Sequence, residues 1–269
     1  MQENRELPEQ GRLSIVAAMV MLAYASAAFV HIPENAWSFQ LPGFYFVAKV
    51  NFYTILSVVV TGMAAAGTDW VIASHPQLGK GPRWHHWIIP ALTALVIGVP
   101  LNQIAVSAAW WVIFCMGGVL FAIVLISEYI SVDLKSALYP LSIISLSVVS
   151  LALFLILSIT VRGAGLRLYA VLSAIVPSVA VVAARILNLR LMGKWPFHWI
   201  AGISIIVGQL SFCLFYLPIE PIPFGLILLG ATYALTSLAV NLEEISLNPK
   251  FWIEPSLNFA VFLLLAILL

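Results

Sequence analysis

Apolar residues fall along this chain in nine runs, at roughly 13–30, 43–66, 87–104, 107–127, 138–160, 168–187, 198–217, 223–241 and 256–269. Short polar stretches separate them. Most runs approach the ~20 residues that a helix needs to cross a hydrocarbon layer of ~30 Å. They are continuous and do not alternate apolar with polar, so they predict transmembrane helices rather than barrel strands. The last run is short. From Ser256 to Leu269 it reaches only ~21 Å at ~1.5 Å per residue, so its helix starts earlier, ends within the bilayer, or is truncated at its outer end.

Composition supports the same class. The chain is 62% hydrophobic and 9% charged, too little polar material to cover a soluble surface. The lipid bilayer is therefore the expected partner, in a cytoplasmic (inner) membrane. A net charge of +1 leaves no basic domain for phosphate contacts and argues against a nucleic-acid partner. Cys115 and Cys213 both lie inside apolar runs and read as buried core thiols. Ala25-Ser26-Ala27 resembles a signal-peptide cleavage site, but the segment before the first run carries three Glu against two Arg. A retained helix is the better reading.

Charge distribution sets the expected orientation. With the N-terminus cytoplasmic and nine spans, nine Lys and Arg fall inside: Arg5, Arg12, Lys80, Arg83, Lys135, Arg185, Arg190, Lys194 and Lys250. Arg162 and Arg167 fall outside, and Lys49 within the second span. The C-terminus is then outside.

The chain also repeats itself. GKGPRWHHWI (Gly79–Ile88) recurs as GKWPFHWI (Gly193–Ile200), with Gly-Lys-x-Pro and His-Trp-Ile matching at offsets of 114 and 112. Glu128–Pro140 aligns without a gap on Glu243–Pro255 at an offset of 115, sharing Glu, Ile, Ser, Lys and Pro. Tyr53, Leu56, Ser57 and Val60 match Tyr169, Leu172, Ser173 and Val176 at 116. Four matches in one order predict a duplication: an all-α membrane protein of two parallel four-helix repeats, 1–137 and 138–252, plus a ninth helix in 253–269. An even number of spans keeps both copies in the same orientation, and a pocket is expected between the halves.

Candidate chemistry gathers at the expected cytoplasmic ends, at Asp69, His75, Arg83, His85, His86, Glu128, Arg185, His198 and Glu243. A phosphate loop is excluded, because Gly79-Lys80 is followed by Gly81 and Ser74 stands where a Walker glycine belongs. The Gly-Lys-x-Pro stretch reads instead as a helix stop with a cationic anchor. His75, His85 and His86 are metal-type ligands, but no HxxxH or HxxE spacing exists, and neighbours on a helix point apart. No metal or cofactor is therefore expected. Glu128 and Glu243 end spans where the helix dipole disfavours a carboxylate. Each reads as organising a short turn, with Ser131 or Ser246 as a cap and Lys135 or Lys250 as counter-charge. At the offset of 116, Asp69 matches Arg185, so opposite charges at equivalent positions form a candidate ion pair between the copies. Within the spans, Gln209 and Lys49 are the notable polar residues, Lys49 near an outer end where it can snorkel. The leading expectation is a non-enzymatic protein that binds or moves a small apolar, amphipathic or lipid ligand, or serves as a scaffold. The alternative is an enzyme acting on a lipid-linked substrate at the cytoplasmic interface.

Overall fold

The computed structural model describes residues 7–27, 29–30, 35–41, 44–50, 52–78, 83–243 and 252–269. These contain nine helices and one hairpin: α1 (Gln10–Ala27), β1 (Asn35–Leu41), β2 (Phe44–Val50), α2 (Phe52–Ile72), α3 (Trp84–Gln103), α4 (Ala108–Ile130), α5 (Tyr139–Gly163), α6 (Leu168–Arg190), α7 (Phe197–Phe215), α8 (Pro221–Glu243) and α9 (Ile253–Leu268). Among the described residues, seven helices, α2 to α8, are long and apolar enough to cross a membrane. The chain is a membrane protein.

Two expectations change. The run at 43–66 is not one helix. Its first part forms β2, antiparallel to β1, with Phe46 opposite Phe39 and Lys49 opposite Ala36, and the helix begins only at Phe52. Aromatic and β-branched residues favour extended pairing, and an apolar strand cannot be told from an apolar helix by hydropathy alone. Lys49 therefore has its backbone in the hairpin rather than in a span; its side chain lies outside the described positions. The second change concerns Cys115 and Cys213, which are exposed rather than buried. A helix in lipid is apolar on every side, so an apolar run does not reveal which face packs inward.

The chain forms two compact units, residues 1–136 and 137–269. In the first, α1 packs on α2, α2 on α3, α3 on α4 and α4 back on α1. The buried stripe recurs at helical spacing: Val16, Val20 and Tyr24 on α1; Val60, Ala64 and Val71 on α2; Ala94, Ile97 and Leu101 on α3; Phe121, Leu125 and Tyr129 on α4. Small residues set the closest approaches. A Cβ on Gly98 would lie 2.7 Å from the Tyr24 hydroxyl, which donates to the Ala94 carbonyl at 2.6 Å. Trp110 Nε1 donates to the Leu101 carbonyl at 3.0 Å, satisfying one of the acceptors that the end of α3 leaves open.

In the second unit α5 packs on α6, α6 on α7, α7 on α8 and α8 back on α5, while α9 lies against α8. A Cβ on Gly208 would meet Val176 at 2.9 Å, and one on Gly230 would meet Phe262 at 2.6 Å. Helix α6 ends through Gly193, whose φ of 90° is open to glycine without a Cβ clash. Its N–H returns to the Asn188 carbonyl at 2.8 Å, a helix-closing bond. This is the stop expected of Gly-Lys-x-Pro; the first copy, Gly79–Pro82, lies outside the described residues. At the opposite end of the unit, Arg162 donates to the carbonyls of Phe215, Leu217 and Ile219. Its guanidinium also lies 5.3 Å from the Phe215 ring and 5.4 Å from the Phe224 ring.

Candidate functional site

The polar residues of the first unit meet where α2 ends, α3 begins and α4 ends. His86, in the first turn of α3, places Nδ1 2.8 Å from Glu128 Oε2. Both side chains are buried. Ser131, just past α4, donates its hydroxyl to the Glu128 carbonyl at 2.8 Å and lies 3.4 Å from Glu128 Oε2 and 3.5 Å from His86 Nδ1. Its expected capping role thus places a third polar atom beside the pair.

His75, in the connection after α2, packs its ring 4.6 Å from that of Tyr129, and its Nδ1 accepts the Gln77 N–H at 3.1 Å. Burial pushes its pKa below the usual histidine value. Asp133 pulls it up, and His86 pushes it further down. His85 does approach His86, with ring centroids 4.1 Å apart. In the first turn of α3 the two rings lean together, although neighbouring helical positions point apart. Among the described residues, no three His, Cys, Asp or Glu side chains form a set that could hold a metal.

Asp69 sits beside this group. Arg83 approaches its carboxylate at 3.5 Å, and Trp87 Nε1 donates to it at 3.3 Å. In the second unit, Arg185 is buried and donates to Asn188 Oδ1 at 3.1 Å. Asp69 and Arg185 thus each have a polar partner within their own unit. His198 Nε2 lies 3.4 Å from Glu243 Oε1, and Trp199 Nε1 donates to the same oxygen at 3.0 Å. The histidine of each His-Trp-Ile therefore meets the glutamate at the end of the fourth or eighth helix. Ser246 and Lys250 lie outside the described residues.

Gln209 belongs to a different feature. It is exposed on α7 and lines a cleft of about 570 Å³ between α6 and α7. Val176 of α6 faces Ile205, Gln209, Phe212 and Cys213 of α7, and Gly208 keeps the floor open. A second groove of about 310 Å³ lies among α7, α8 and α9, with Leu210, Ala234, Leu238 and Phe259 on its walls. Sequence reading singled out Gln209 as an isolated polar residue, but not the cleft around it. It also missed Ser131 as a neighbour of His86, and Tyr129 as the support for His75. Only the first of these had a signal, the spacing of Ser131 from Glu128.

A family model described as "Protein of unknown function (DUF5656)" matches residues 32–269, and the chain belongs to that family. No curated protein and no solved structure matches it.

Proposed function

We propose that this is a nine-span membrane protein, duplicated from a four-helix unit, that binds a small amphipathic molecule rather than transforming one. The cleft between α6 and α7 carries this reading. Its volume of about 570 Å³ falls within the ~300–1,000 Å³ typical of ligand sites, and mostly apolar walls with a few polar groups, here Gln209 and Ser204, are the usual composition of such sites. The duplication is supported by the same cyclic order of helix packing inside each unit and by the recurrent His–Glu contact. A cytoplasmic N-terminus is supported by the Lys and Arg bias, which remains nine to three when Lys49 joins Arg162 and Arg167 outside. Reporter fusions after residues 79 and 165 should then report cytoplasmic and external positions respectively.

Binding is tested by mass spectrometry of small molecules retained on the purified chain. The wild-type protein should retain an amphipathic species, and Cys213→Trp, which fills the cleft from an exposed position, should retain at least about tenfold less. Equal retention by both proteins would place the ligand elsewhere.

A second reading, an enzyme acting on a lipid-linked substrate, is favoured by one observation. The imidazole of His86, the carboxylate of Glu128 and the hydroxyl of Ser131 lie within 3.5 Å of one another. A carboxylate on Nδ1 fixes the ring tautomer and makes Nε2 the basic nitrogen. The same lipid species accumulating in cells carrying His86→Asn or Glu128→Gln, but not His198→Asn, would favour this reading over binding alone.

A further inference from the structure

The α6–α7 cleft is chemically uneven, and this selects among occupants. Its lining holds no charged side chain. The Ser204 hydroxyl is engaged with the Ile200 carbonyl at 2.7 Å. The Gln209 side chain is exposed and makes no hydrogen bond to another described residue. Gln209 lies six residues before the end of α7 at Phe215, about 9 Å along the axis. A carboxamide at that depth faces hydrocarbon, where an unmade hydrogen bond is costly. A ligand hydroxyl or carbonyl would supply the missing partner, because the carboxamide both donates and accepts. A charged head would be desolvated there with no counter-charge on the cleft walls.

We propose that the cleft binds an uncharged, single-chain amphiphile whose hydroxyl or carbonyl hydrogen-bonds to Gln209, with its chain lying along Ile205 and Val176. This rests on the binding reading above and names the class of ligand.

The test uses three photoreactive probes with one diazirine-bearing alkyl chain, ending in a hydroxyl, a sulfate or a trimethylammonium group. They are applied to the full chain in neutral-lipid bilayers, and the labelled peptides of α6 and α7 are quantified. The alcohol should label about three- to tenfold more than either charged probe, the span that one hydrogen bond inside a bilayer supports. Gln209→Leu, an apolar change at an exposed position, should reduce alcohol labelling by a similar factor. Equal labelling by all three probes, or no effect of Gln209→Leu, would overturn the assignment of a neutral ligand while leaving binding in the cleft intact. No labelling of α6 or α7 by any probe would overturn the binding reading itself.

Discussion

The same pair of side chains meets in two different settings. In the first unit His86 and Glu128 lie 2.8 Å apart with side-chain exposures of 9% and 0%. In the second, His198 and Glu243 lie 3.4 Å apart with exposures of 70% and 31%. The contact is shared, so burial separates the two, and burial comes from the neighbours. Tyr129 and His75 pack together at the end of α4, and Ser131 closes over the Glu128 carboxylate. In the second unit Trp199 takes the Glu243 oxygen directly and leaves His198 in the open. A contact held out of water is coupled to the fold, whereas an exposed one is screened.

The comparison breaks most sharply at the glutamates. Glu128→Ala removes the buried carboxylate from the His86 imidazole and should lower stability by about 3 kcal/mol, whereas Glu243→Ala should cost less than about 1 kcal/mol. Thermal unfolding of the purified variants, followed by tryptophan fluorescence, reads both. Equal losses would show that burial does not separate the sites. A smaller effect is expected at the arginines. Arg162 serves three carbonyls at and just beyond the end of α7, while Arg12 serves the Trp70 carbonyl and Glu9. Arg162→Ala should cost about 2 kcal/mol, because it leaves several carbonyls without a charged donor. Arg12→Ala should stay under about 1 kcal/mol. Arg162→Lys should recover only part of the loss, since an ammonium lacks the planar fork. Equal melting temperatures for the two alanine variants would contradict this ranking.

The helices were legible because charge is expelled from bilayer-length segments, and each of the nine runs meets a helix. Their inward faces were not legible. In a soluble helix polarity marks the outside, but here both faces are apolar, so Cys115 and Cys213 were misplaced. The hairpin was hidden for a related reason: Phe44–Val50 is as apolar as the helix that follows. In the candidate site, repetition pointed to His86, Glu128, His198 and Glu243, because two copies hold the same residue types in the same order. It could not foretell their unequal burial, which depends in part on residues found in one copy alone, Tyr129 and His75 among them.

His75 is one of these, and it gives the smallest and most specific test. At offsets near 115 the second unit has Arg190 or Leu191 in its place, so only the first unit carries an imidazole there. Burial lowers the His75 pKa below its ordinary 6.5, with Asp133 opposing and His86 reinforcing the shift. The folded state therefore binds this proton less readily than the unfolded chain. The stabilising contribution is intact above the unfolded pKa, is lost progressively as pH falls from there through the folded pKa, and changes little below that. Unfolding midpoints measured from about pH 7.5 down to about pH 5 should decline for the wild type and decline less for His75→Asn. His85, His86, Glu128 and Asp133 are present in both proteins, so the difference between the two slopes reads the replacement of His75. Parallel slopes would mean that the ring takes up its proton without leaving Tyr129, and that the first unit's burial does not extend to this side chain.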